Sequence, residues 1–209
     1  MHELKENTFI CVEDNALPTY LCDGIISFFE ESHKKLEGRV IDEKGEHVVN
    51  KKAKISMDLD LSGETGMGSD IDRELFRIVG RAFNTYVDMF GVLKAFSVYD
   101  TGYFLTKYLK DEGFYDWHID AGNDATINRL FSCLIYLNTV DYGGETEFFY
   151  QKLSVKPIRG RLLLFPAAWT HLHRGIVPVS GDKFIMTTFL THKINSSIKL
   201  HELGETKNA

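Results

Sequence analysis

The spacing of hydrophobic positions changes once along the chain. Across residues 17–36, apolar side chains fall at Tyr20, Leu21, Ile25, Ile26, Phe28 and Phe29, a helical recurrence. Pro18 suits a first helical turn and Gly38 the exit, while Gly24 weakens the interior. A second helix is predicted over residues 69–91. Leu75, Phe76, Val79, Phe83, Tyr86, Val87 and Phe90 keep the spacing, and Ser69 is the expected N-cap. Asp70 and Asp72 then sit where negative charge meets the positive end of the helix, and Gly91 ends it. The apolar stripe of this helix should cover a sheet.

From Val92 onward the runs become short and rich in β-formers: residues 95–99, 104–109, 130–137, 146–150, 161–165 and 184–190. Gly, Asp, Asn and Pro clusters separate them. The stretch between the two helices, residues 37–68, is polar and contains Gly38, Gly45, Gly63, Gly66 and Gly68. Only residues 39–41, 48–49 and 55–61 look like strands there, so it reads as an excursion facing substrate or solvent. The expected class is mainly β with flanking helices (α+β). A jelly-roll core over residues 92–192 is buttressed on one outer face by the helical region 1–91 and followed by a tail, 193–209, all in one domain, 1–209.

At 209 residues the chain can bury a proper core. A net charge of −6 argues against a large nucleic-acid footprint. Cys11, Cys22 and Cys133 are scattered without a CxxC pair, which indicates neither a disulfide framework nor a zinc knuckle. The polar start of the chain has no signal-like apolar region, and no apolar run reaches membrane-span length. A cytoplasmic protein with no membrane partner is the expectation.

Candidate chemistry centres on His118 and Asp120. Two positions apart on an extended strand, they leave the same face, as two ligands of one ion must. An imidazole from a distant strand would complete two histidines and one carboxylate with open positions opposite, a set that favours oxygen-activating ferrous iron. His171 and His173 are both available, and strand parity alone cannot choose between them. If both served with His118 and Asp120, the site would be closed, four-ligand zinc, structural or hydrolytic. Lys183 stands where a turn becomes an apolar strand. It is either a solvated lysine or the anchor of an acidic cosubstrate. His2, His33, His47, His192 and His201 lie in polar or terminal surroundings and read as surface residues.

Several of these residues fall within motifs that resemble those of prolyl-4-hydroxylase-like iron(II)/2-oxoglutarate oxygenases. Tyr108, Gly113, Phe114, Tyr115, His118 and Asp120 resemble the family's Y…G…HxD stretch. Residues 129–138 (RLFSCLIYLN) are similar to its R…T…YLN strand, with Ser132 in the threonine place. Residues 143–148 (GGETEF), 155–165 (VKPIRGRLLLF) and 173–183 (HRGIVPVSGDK) resemble three further elements, in order. Val177 is an extra residue in the last of these, and nothing before Val92 matches beyond a loose likeness at residues 54–56.

The resemblance implies a double-stranded β-helix in which His118, Asp120 and His173 hold Fe(II), since Lys183 follows His173 by the family's ten positions. His171 is then left to the pocket wall or a supporting position. Lys183 would bind the far carboxylate of 2-oxoglutarate, with Tyr108 helping. O2 would be the second cosubstrate and ascorbate the candidate reductant. The implied reaction is hydroxylation of a prolyl or other amino-acid side chain of a protein or peptide, with small-molecule substrates next. A metal-binding barrel without oxygenase activity and a zinc hydrolase are the alternatives.

Overall fold

The computed structural model describes residues 1–42, 44–62 and 65–192. The expected tail and His201 lie outside these residues. In chain order the elements are β1 (His2–Glu3), β2 (Cys11–Glu13), α1 (Thr19–Glu31), β3 (Leu36–Glu37), β4 (Val40–Ile41), β5 (His47–Val48), β6 (Lys54–Ile55), β7 (Met57–Asp60) and α2 (Met67–Met89). After a 3-10 turn at Gly91–Ala95 come β8 (Tyr99–Asp100), β9 (Phe104–Tyr108), β10 (Phe114–His118), β11 (Arg129–Tyr136), β12 (Thr146–Phe148), β13 (Leu153–Val155) and β14 (Leu162–Pro166). A second 3-10 turn, Trp169–His171, leads to β15 (His173–Gly175) and β16 (Lys183–Thr191).

A nine-stranded sheet runs β1-β2-β14-β11-β16-β9-β7-β3, with β8 added on β16; a five-stranded sheet runs β13-β12-β15-β10-β6. All described pairings are antiparallel, as expected of a jelly roll. Strand alternation divides the interior in two. Phe131, Cys133 and Ile135 of β11, Leu162 and Leu164 of β14, and Phe184 and Met186 of β16 face the helices. Their neighbours Leu134, Tyr136, Leu163, Phe165 and Ile185 face the smaller sheet. The central strands are thus buried on both sides, and their sequences read as continuous apolar runs. The helices cover one outer face, as the sequence order of helices before strands suggests.

Several boundaries differ from expectation. The first helix stops at Glu31, where Ser32 turns extended and the Lys35 ammonium takes the carbonyls of Phe29 and Glu30 at 3.1 and 2.7 Å. The second begins at Met67 after Gly66, so Ser69 lies inside it and supplies no cap. Its buried stripe adds Ile71, Ile78 and Ala82, while Phe76 is exposed. Residues 95–99 are not a strand: the 3-10 turn ends at Ala95, residues 96–98 are irregular, and β8 begins only at Tyr99. Nor is the 37–68 stretch wholly peripheral. Strand β7 pairs with β9 in the large sheet and buries Leu59, and β6 closes the edge of the small one.

Candidate metal centre

Strands β10 and β15 pair so that His118 stands directly opposite His173, with a register irregularity between Tyr115 and His118. The chain bends after His118, which swings Asp120 off the strand, where Ala121 N donates to Ala167 O at 3.1 Å. One oxygen of Asp120 then lies 3.7 Å from His118 Nε2 and the other 3.5 Å from His173 Nε2. Each donor atom of the trio is within 4.8 Å of the others, and among the described residues no other such cluster forms.

The ring orientations are set by backbone. His118 Nδ1 lies 2.7 Å from Asp116 O and His173 Nδ1 lies 2.9 Å from His171 O. A carbonyl only accepts, so in each neutral ring Nδ1 carries the proton and Nε2 turns its lone pair toward the carboxylate. Burial, followed by the neighbouring His173, pushes His118 down to about 3, so it stays neutral at physiological pH. Burial alone would raise Asp120, but positive charge on the His173 or His118 ring, the Ser132 hydroxyl and Arg129 act the other way, and the acid lies below its usual range. Ser132 Oγ donates to Asp120 Oδ2 at 2.5 Å, and Arg129 Nη1 donates to the Asp120 carbonyl at 3.1 Å.

A carboxylate faced by imidazole lone pairs is repulsive unless a cation sits between them. Two donors about 2.1 Å from one ion are separated by at most ~4.2 Å, and the observed distances of the histidine nitrogens from the carboxylate fall inside that limit. The donor set therefore fits a divalent ion. Tyr115 stacks on His118 with centroids 3.5 Å apart, while Phe148 and Phe165 contact His173 and exclude water from its far side.

The same cavity, about 700 Å³, contains Lys183 and Tyr108. They are cross-strand partners on β16 and β9, and Lys183 Nζ lies 5.3 Å from the Tyr108 ring and 5.6 Å from that of Tyr136. Lys183 is 2% exposed. Among the described residues no acceptor bonds its ammonium, and burial, partly offset by Glu145, pushes it down to about 7. An unpaired buried cation beside a cavity is costly and calls for an anionic occupant. Thr146 lies in the same cavity, bonded by the Tyr136 hydroxyl at 2.7 Å. The turn before β12 comes close because Gly143, at φ 73°, has no Cβ; one would meet the Val177 carbonyl at 2.3 Å.

His171 is elsewhere. It ends the 3-10 turn rather than sharing a strand with His173, so the parity argument does not apply to it. Its Nε2 bonds the Thr8 carbonyl at 2.9 Å, and it does not line the cavity, contrary to a pocket-wall position. Its contribution to the site is the main-chain carbonyl that orients His173. A closed four-ligand site loses its fourth ligand. His2, His33, His47 and His192 are exposed, as expected, though His47 borders the cavity mouth. Lys54, Asp58 and Arg129 were not expected at the site; only the face-parity of short strands signals them.

Residues 103–191 match the model of the 2OG-Fe(II) oxygenase superfamily. Over this stretch the chain is similar to 2OG-Fe(II) oxygenases. Proteins of that superfamily use Fe(II), 2-oxoglutarate and O2. No curated protein sequence matches the chain. Solved structures show the same fold. A viral collagen prolyl hydroxylase from Paramecium Bursaria Chlorella virus-1, in complex with 2OG, aligns with a TM-score of 0.65 and 16% identity over 92% of this chain and 100% of that one. A Trichoplax adhaerens prolyl hydroxylase, in complex with a peptide fragment of the hypoxia inducible factor oxygen degradation domain, gives 0.69 and 17% over 88% and 84%. A Pseudomonas putida prolyl-4-hydroxylase gives 0.64 and 14% over 90% and 94%. The fold is thus a double-stranded β-helix. No helix among its described residues is long and apolar enough to cross a membrane.

Proposed function

We propose that this protein is an oxygenase that hydroxylates an unactivated C–H bond of a prolyl or other amino-acid side chain in a peptide, with release of succinate and CO2. The observation that carries the reading is the convergence of His118, Asp120 and His173 in one cavity with an unpaired, buried Lys183. In this reading the trio holds iron(II), which when bound supplies the activation of dioxygen at the expense of 2-oxoglutarate. Lys183 binds the far carboxylate by a charge-assisted hydrogen bond, and Tyr108 lines the same subsite. Ser132 and the carbonyls of Asp116 and His171 hold the ligands in register. Phe148 and Phe165 keep water from the inner wall. The peptide character is supported by a cavity of about 700 Å³ whose lining includes Arg39, Val40, Asp42 and Asn123. It is also supported by the fold's likeness to a prolyl hydroxylase bound to a peptide.

The test is turnover with iron(II) and 2-oxoglutarate in air, offered proline-containing peptides. Succinate, CO2 and a peptide gaining one oxygen atom from O2 are expected in equal amounts. Metal binding without 2-oxoglutarate consumption, or zinc-dependent turnover that persists without oxygen, would replace this reading.

A further inference from the structure

A second buried lysine lines the cavity, on the small sheet rather than the large one that carries Lys183. Lys54 is only 8% exposed. Strand β6 pairs with β10 so that Lys54 stands opposite Tyr115, on the cavity face of the small sheet. Its ammonium lies 5.4 Å from the Tyr115 ring, and that ring stacks on His118. One proton is used: Lys54 Nζ donates to Asp58 Oδ2 at 2.7 Å. The other oxygen of Asp58 accepts from Ser56 Oγ at 2.9 Å, which fixes the carboxylate and hence the ammonium. An ammonium has three donors, and among the described residues the remaining two meet no acceptor. They are held next to the aromatic ring that covers an expected metal ligand.

We propose that Lys54 is a specificity-determining residue that donates to a main-chain carbonyl of the peptide substrate beside the residue being hydroxylated. This rests on the peptide-hydroxylase reading above. A carbonyl suits the site better than the carboxylate of a free amino acid. Asp58 already neutralises the ammonium, and Asp60, on the same face of β7, also lines the cavity. A substrate carboxylate there would face two acids, whereas a carbonyl needs only a donor. Lys54 is thus a second lysine in one cavity, aimed at a neutral oxygen where Lys183 is aimed at a charged one.

The test is binding, read on protein loaded with Mn(II) and 2-oxoglutarate. A library of capped peptides with a central proline is selected on the wild-type protein, and affinities of the best peptide are measured for wild type, Lys54→Met and Lys54→Arg. Lys54→Met should weaken the peptide tenfold or more with 2-oxoglutarate affinity unchanged, and Lys54→Arg should restore most of the loss. In the wild type, replacing the peptide's carbonyl oxygens one at a time by methylene should reveal one position that costs tenfold. That cost should vanish in Lys54→Met, a non-additivity that a lysine merely clamping the two sheets would not produce. Peptide binding by Lys54→Met equal to wild type, or no carbonyl position whose removal matters, would overturn the role of Lys54 while leaving the peptide reading intact. Selection of no peptide, or competition by free proline as strong as by the capped peptide, would remove the peptide reading and this proposal with it.

Discussion

The inner end of the cavity and its mouth are built by different means. At the inner end strand register sets the position of nearly every side chain: Lys183 opposite Tyr108, His173 opposite His118, and Ser132 on the inward face of a strand buried on both sides. The mouth is framed by the β4–β5 hairpin, which pairs only with itself, and by the turn around residues 122–126. Among the described residues these two are joined by one side-chain bond, Asn123 Nδ2 to Asp42 O at 3.2 Å. Groups that carry the proposed chemistry are held by many backbone bonds. Those that meet the substrate hang on few, which lets selectivity vary without disturbing the reaction centre.

The sharpest way to break this contrast lies between two histidines. His173→Ala should lower metal affinity at least a hundredfold by equilibrium dialysis against Mn(II). His171→Ala should keep the metal and instead lose about 1–3 kcal/mol of stability through its buried bond to Thr8. Equal metal loss in both would show that the ligand assignment is wrong.

Lys183→Ala should weaken 2-oxoglutarate roughly 10–100-fold with metal retained, the range expected for one charge-assisted hydrogen bond. The wild type should also show a pH signature. With Lys183 pushed down to about 7, its ammonium is present below that pH, and above it cosubstrate binding must take up a proton. Affinity should therefore be level below pH 7 and fall as pH rises past it. Stability has the opposite sign. Between pH 7 and the ordinary lysine value the unfolded chain holds the extra proton, so the ligand-free protein gains stability from this group as pH rises. A pH-independent 2-oxoglutarate affinity would leave Lys183 without its assigned part.

A smaller effect is expected at Ser132→Ala. Removing the 2.5 Å bond to Asp120 should cost about tenfold in metal affinity. Smallest of all, Asn123→Ala should leave metal and 2-oxoglutarate binding alone. Amide exchange over residues 40–48 should quicken about fivefold, the equivalent of one hydrogen bond near 1 kcal/mol. No change in exchange would mean that the mouth is held by more than this bond.

The same division governs what could be read from sequence. Largely apolar runs in residues 130–137 and 184–190 mark strands whose two faces serve two cores, and the HxD spacing brings His118 and Asp120 together even though Asp120 falls just past the strand end. Where contacts are long-range or elements very short, the pattern carries little. Strand β2 has three residues and becomes legible only through its pairing with β14. Residues 55–61 look peripheral because their partner, β9, lies more than forty positions away. His171 and His173 share a spacing but not a strand, since a 3-10 turn intervenes. Lys54 and Asp58 are four apart in sequence, yet they sit on different sheets and meet across the cavity.

Everything proposed for the reaction depends on one shared ion. Anomalous diffraction from crystals loaded with Mn(II) locates it directly. A single strong peak within coordination distance of His118 Nε2, His173 Nε2 and a carboxylate oxygen of Asp120 is the expected result. A peak that includes His171, or none between these three side chains, would contradict the account.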